Sequence, residues 1–128
     1  RREANGQLKV EQDISILPPG MSKIGLSASD LLITPDGKFL FAGLRGHRQD
    51  FDRISRYRVM EDGKAEFLGL TEADQIPWGL TLSPDGKFLL VSATTGATLT
   101  AYQISKDGNL KKVASLAWDA RMSDLVTR

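Results

Sequence analysis

Thr34-Pro35-Asp36-Gly37-Lys38-Phe39-Leu40 returns as Ser83-Pro84-Asp85-Gly86-Lys87-Phe88-Leu89, 49 residues further along the chain. A second pair continues the first. Tyr57-Arg58-Val59-Met60-Glu61-Asp62-Gly63 is echoed by Tyr102-Gln103-Ile104-Ser105-Lys106-Asp107-Gly108 at a spacing of 45. Ser29-Asp30-Leu31 recurs as Ser123-Asp124-Leu125, about two periods on. Three matches at nearly one spacing mark a repeated structural unit of roughly 45 residues.

Each unit reads as four strands. Pro-Asp-Gly is a tight turn: Pro presets φ, Asp bonds its own backbone, and Gly accepts a conformation other residues avoid. Asp62-Gly63, Asp107-Gly108 and Asn5-Gly6 are hairpin turns of the same kind. Between them lie β-type runs at 30–33, 39–44, 54–59 and 66–70, then at 79–82, 88–93, 99–104 and 110–116. No segment carries a helical period. The second run of each unit, Phe39-Leu40-Phe41-Ala42 and Phe88-Leu89-Leu90-Val91, is almost continuously apolar and so expects burial on both faces.

A four-stranded sheet stacked between like sheets provides that burial, and this is a β-propeller. A β-sandwich of the same eight strands is the alternative, and the period favours the propeller. The fold class expected is therefore all-β, a β-propeller fragment of about two four-stranded blades with flanking strands of their neighbours. Residues 28–73 and 77–118 are expected to be blades. Residues 7–17 read as the outer strand of a preceding blade, and 122–128 as the inner strand of the next. Propellers close with about 4–8 blades, so the expected partners are the remaining blades of the same ring or another copy of the chain.

Composition excludes several function classes. Seventeen Lys and Arg against sixteen Asp and Glu leave a net charge of +1, giving no electrostatic reason to expect nucleic acid or a membrane surface. Cysteine is absent, which removes disulfides and thiolate metal sites and fits a cytoplasmic location. No apolar run approaches the ~18 residues of a membrane span. The opening Arg1-Arg2-Glu3 reads as internal to a longer chain.

Strand order sorts the loops onto two ends of each blade. The Pro-Asp-Gly and Asp-Gly turns share one end. The other end collects Asp30, Arg45, His47, Gln75, Trp78, Asp119, Arg121 and Asp124, on longer loops that differ between the repeats. His47 is the only histidine and is matched to proton transfer near pH 7. Arg45 is suited to grip a phosphate or carboxylate through its fork. Asp30 is placed to orient His47 or to act as a base. Each of these also has an ordinary reading as a solvated loop residue, and Trp78 and Trp118 as packing against a neighbouring blade. Arg53, Arg56 and Arg58 are read as lying on an exposed strand edge. One His and scattered carboxylates give no metal-ligand spacing, and neither a phosphate-binding Gly-rich loop nor a Gly-x-Ser-x-Gly nucleophile is present. No metal or cofactor is expected.

Residues 27–41, from Ser27-Ala28-Ser29-Asp30 through Pro35-Asp36-Gly37-Lys38 to Phe41, followed by Leu44-Arg45-Gly46-His47, resemble the seven-bladed propeller lactonases. That family includes propeller-type 6-phosphogluconolactonase and carboxymuconate cyclase. The stretch from Asn5-Gly6-Gln7-Leu8 to Leu17-Pro18-Pro19 is similar to the family's lead-in to that blade, so the likeness covers nearly the whole chain and implies a C-terminal position. Trp78 stands where the family often has Arg. The resemblance implies a hydrolase of carbohydrate metabolism that opens a sugar-acid lactone, foremost 6-phosphogluconolactone. Its catalytic groups would be Asp30 and His47, its substrate-binding groups Arg45, Gln75 and Trp78, and its ligand a small anionic lactone. A muconate-type cycloisomerase and a non-catalytic interaction platform are the alternatives, because fold alone does not separate them.

Overall fold

The computed structural model describes residues 2–46, 51–122 and 124–127. Eight strands follow in order: β1 Ser27–Ile33, β2 Phe39–Arg45, β3 Arg53–Val59, β4 Ala65–Glu72, β5 Pro77–Leu82, β6 Phe88–Ala93, β7 Thr98–Ile104 and β8 Leu110–Ala117. They form two four-stranded antiparallel meanders, β1-β2-β3-β4 and β5-β6-β7-β8. Among the described residues there is no helix.

The turn chemistry sets the hairpins. In the first, the Thr34 hydroxyl donates to Asp36 (2.6 Å) and accepts from the Phe39 N–H (3.0 Å). Asp36 in turn accepts from the Lys38 N–H at 3.1 Å. Ser83, Asp85 and Lys87 repeat these contacts in the second sheet, with Ser83 accepting from Phe88 N–H at 3.0 Å. Such local bonds to carboxylates draw the Asp36 and Asp85 pKa values below the ordinary Asp value, the Thr34 and Ser83 hydroxyls being the largest cause.

The apolar second strands are buried almost throughout, as their composition requires. Phe39, Phe41, Ile54, Leu80, Leu89, Val91 and Tyr102 form one cluster that runs through both sheets. β5 lies against β1 and β2, so the second sheet stacks on the first with its inner strand. A polar tie accompanies this stacking: the buried Tyr102 hydroxyl donates to the Glu72 carbonyl of β4 at 3.1 Å. The buried Tyr57, one repeat earlier, donates to the Ser15 carbonyl at 3.0 Å.

β1 and β5 begin earlier than their sequence pattern indicates, at Ser27 and Pro77. Each crosses a register shift, between Ala28 and Leu31 and between Pro77 and Gly79. A bulge breaks the two-residue alternation that pattern reading relies on. The arginine-rich run is not on an edge. β3 is an interior strand between β2 and β4, and its arginines serve the sheet: Arg53 pairs with Glu72 and Arg58 with Glu66, both at 3.7 Å. Arg56 reaches the next sheet, at the Asn109 side chain (2.5 Å).

The flanks lie alongside the sheets without joining a ladder. An isolated bridge links Arg2 to Leu8. The Gln12 amide exchanges two hydrogen bonds with the Ala65 backbone, at 2.9 and 2.7 Å. At the other terminus the chain runs past the second sheet, where Thr94 Oγ1 donates to the Met122 carbonyl and Thr127 Oγ1 to the Leu82 carbonyl, at 3.0 and 2.6 Å.

Candidate functional site

The end of the blades opposite the Pro-Asp-Gly turns is built from the start of β1, the end of β2 and the crossover from β4 to β5. Arg45, the last residue of β2, leans across β1. Its Nη2 donates to the Ala28 carbonyl at 2.7 Å, and its guanidinium carbon lies 4.3 Å from the centroid of the Trp78 ring. Trp78 belongs to β5 in the other sheet and is 38% exposed. Two of the three expected substrate-binding residues are thus brought together by a cation–π contact between sheets. Arg45 Nε is buried without a hydrogen-bond partner.

Asp30 sits at the β1 bulge and is half-buried. Its carboxylate accepts from its neighbour Leu31 N–H at 2.8 Å and from Leu80 N–H of β5 at 2.9 Å. The second bond crosses between the sheets. Asp30 therefore ties the two inner strands together at the floor of this end. Asp124 makes the same local bond, to Leu125 N–H at 2.8 Å. Asp119 and Arg121 are exposed. His47 lies outside the described residues.

Asp52, just before β3, is 7% exposed and accepts from the Gly46 N–H at 3.0 Å. Its carbonyl accepts from Ala73 N–H and from Arg53 Nη1, at 3.1 and 2.8 Å.

The crossover 73–77 is held at almost every residue. The Asp74 carboxylate accepts from Lys112 (2.8 Å), Thr98 (3.0 Å) and Thr100. Burial works against its ionisation, but the bonds from Lys112, Thr100 and Thr98 outweigh burial and hold its pKa below the ordinary value. The Gln75 carbonyl accepts from Gly96 N–H at 3.1 Å, and the Ile76 carbonyl from Thr94 N–H at 2.9 Å. Gln75 is exposed. Ile76 has φ of 60°, the left-handed region that a β-branched residue strongly avoids. Among the described residues no three His, Cys, Asp or Glu side chains converge so as to hold a metal ion.

Residues 1–121 match the family model described as lactonase, 7-bladed β-propeller. The chain belongs to this lactonase family. Two curated relatives are named 6-phosphogluconolactonase. The one from Sodalis glossinidius is 31% identical over 111 residues, covering 85% of this chain and 32% of the relative. The one from Pectobacterium carotovorum is 29% identical over 116 residues, covering 89% of this chain and 33% of the relative. Among solved structures, the periplasmic gluconolactonase PpgL of Pseudomonas aeruginosa superposes with a TM-score of 0.79 at 24% identity, over 93% of this chain and 33% of its own. The chain spans about a third of the length of the curated relatives it matches, and its two sheets are blades of the propeller fold.

Within this lactonase-family fold, sequence reading missed Asp52, Asp74 and Ile76. Thr98 and Thr100 fall two apart on one strand and so share a face, a signal that a polar partner was waiting for them. Asp52 and Ile76 carry no such signal.

Proposed function

We propose that the protein to which this chain belongs hydrolyses a sugar-acid lactone, foremost 6-phosphogluconolactone. The observation that carries this reading is the Arg45 guanidinium laid on a part-exposed Trp78, in a chain of the lactonase family. Arg45 uses one N–H on Ala28 and its Nε is buried; the remaining Nη donors are suited to a phosphate or carboxylate. The indole supplies an apolar platform for a sugar ring, and exposed Gln75 an amide for its hydroxyls.

In the reaction, water attacks the lactone carbonyl carbon and gives a tetrahedral oxyanion. The ring C–O bond then breaks, and the alkoxide leaves as a hydroxyl of the open acid. His47 is assigned to take the proton from water and return it to the departing oxygen. Asp30, whose carboxylate also ties the two inner strands, is assigned to orient His47 or to act as a base beside it. No metal enters the proposal.

The exposed apolar residues of the outer faces, Leu31 (64%) and Leu116 (54%) among them, suit cover by further blades of the same ring, or by another copy. In that ring residues 7–17 act as an outer strand and 122–128 as an inner one. A cytoplasmic location belongs to the same proposal. No helix among the described residues is long and apolar enough to cross a membrane, and fractionation of the full-length protein checks the compartment.

The test is lactone hydrolysis by the full-length protein, with and without a chelator. Arg45→Ala is expected mainly to raise KM. His47→Ala is expected mainly to lower kcat, by roughly 10²–10³ as for removal of a transition-state hydrogen bond. No turnover of any aldonolactone ends the lactonase reading and promotes the interaction platform.

A further inference from the structure

Ile76 is strained for two independent reasons. Its φ of 60° places a β-branched side chain in left-handed space. It also precedes Pro77, and a residue before proline is driven toward extended backbone. A different residue would be expected at such a place if the bend were a mere connection, since Gly, Asn or Asp adopts it with little strain. The surroundings hold Ile76 there nonetheless. Its carbonyl accepts from Thr94 N–H, the preceding carbonyl accepts from Gly96 N–H, and Pro77 is fully buried against Ala93 in the β5–β6 register. Gly96 is closely seated as well: a Cβ there would stand 3.3 Å from the Gln75 nitrogen. Two residues upstream, Asp74 is tied to Lys112 and Thr98.

Strain that its surroundings over-determine is found at sites that need fixed geometry. What the bend fixes here is specific. It lies between exposed Gln75 on one side and Pro77-Trp78 on the other, and Trp78 receives the Arg45 guanidinium from the neighbouring sheet at 4.3 Å. A crossover free to extend at Ile76 would release the indole from that place. We infer that Ile76 is a positioning residue, whose left-handed backbone sets the Trp78 platform against Arg45 and turns Gln75 to the substrate. The inference rests on the lactonase reading for its kinetic consequence, but not for its geometric one.

Three variants of the full-length protein separate backbone from side chain. Ile76→Gly keeps the bend accessible but frees it. Ile76→Asn removes the apolar side chain while favouring the same bend. Trp78→Phe assigns the Trp78 signal in protein labelled with 5-fluorotryptophan. In Ile76→Gly the fluorine resonance of Trp78 is expected to shift and broaden, and KM for the lactone to rise about tenfold with kcat within twofold. Ile76→Asn is expected to restore both toward wild type. If Ile76→Asn behaves like Ile76→Gly, the side chain and not the backbone matters, and the inference is overturned. It is equally overturned if Ile76→Gly changes neither the resonance nor KM. Should the wild-type protein turn over no lactone, the functional reading fails while the fluorine spectra still decide the positioning role.

Discussion

The two ends of the blades obey different rules. At the turn end, Thr34-Pro35-Asp36-Gly37 and Ser83-Pro84-Asp85-Gly86 make the same contacts with the same donors and acceptors. At the crossover end local contacts repeat, Asp30 and Asp124 each bonding the next N–H and the Asp52 and Ala97 carbonyls accepting from Ala73 and Trp118 N–H, but the contacts between sheets do not. Asp30 bonds Leu80 of the next sheet, whereas at the aligned position of the second sheet stands Gly79, whose N–H goes to Ser92 Oγ. The turn end closes hairpins, a task identical in every blade. The crossover end carries side chains whose partners lie on another sheet, so each blade contributes something different. A cleft of about 560 Å³ does open between the blades at the turn end, lined by Lys38, Lys87 and Lys106. Lys38 and Lys87 there are paired with Asp36 and Asp85 of their own turns, and we assign the cleft no role.

Repetition at the turn end breaks where a turn touches the neighbouring sheet, and this gives the largest expected effect. Gly108 has φ of 79°, and a Cβ on it would stand 2.5 Å from the ring of Phe39, a residue of the core cluster. Gly108→Ala combines a left-handed backbone penalty with overpacking, together about 2–4 kcal/mol. Gly37, with φ of 70° and nothing within 4 Å of the same Cβ position, bears the backbone penalty alone, about 1–2 kcal/mol. Denaturant midpoints of the two variants check this. Equal losses would mean that the blades do not press together at Phe39.

The contact between sheets also has an alkaline signature. Burial, and then the negative charges of Asp74 and Glu72, push the Tyr102 phenol up to about 12 from 10.0. The neutral phenol is the form the fold prefers, so its contribution is complete below pH 10 and lost as pH rises through about 12. Two units correspond to roughly 2–3 kcal/mol. In Tyr102→Phe the stability of the full-length protein should fall less steeply over that range. An unaltered alkaline limb would remove Tyr102 from the explanation.

These cases show what the sequence could and could not reveal. Turn chemistry is local: Asp36 and Asp85 bond residues two positions away, so their role was legible from the tripeptide. The eight strands of the two sheets were legible for the same reason, apart from the bulged starts of β1 and β5. Arg45 and Trp78 were assignable to one end by strand direction, but their contact spans 33 positions and two sheets. The second partner of Asp30 is a backbone N–H, a group every residue but proline owns, so no residue type could announce it. Ile76 is the extreme case, because Ile before Pro argues for extended backbone and the structure has the opposite.

The acid limb distinguishes the ends by where their carboxylates are held. Asp74 at the crossover and Asp36, Asp62, Asp85 and Asp107 in the turns all have pKa values lowered from 3.8. A depressed carboxylate stabilises the fold above its ordinary pKa, and that contribution is lost as pH falls below 3.8 through the lowered value. Asp74→Asn should therefore lower stability at neutral pH and flatten, without abolishing, the acid loss. The part that remains belongs to the exposed turn carboxylates, which local hydrogen bonds hold down more than charge does, so it should change little with added salt. Acid unfolding curves at two ionic strengths check both statements.

The smallest expected difference is the most direct test of repetition itself. Thr34 and Ser83 use their hydroxyls identically, donating to Asp36 and Asp85 and accepting from the N–H of Phe39 and Phe88. Their settings differ: Thr34 is buried and Ser83 only partly so. Thr34→Val keeps shape but leaves the Phe39 N–H without its acceptor away from water, a loss of about 1–2 kcal/mol. In Ser83→Ala water replaces the hydroxyl at the more open Phe88 N–H, and the loss should be about 0.5–1 kcal/mol. Urea midpoints of the two variants, each against wild type, resolve a difference of this size. A Ser83→Ala loss equal to or larger than that of Thr34→Val would mean that the turns are equivalent in energy as well as in contacts, and that burial at Thr34 adds nothing.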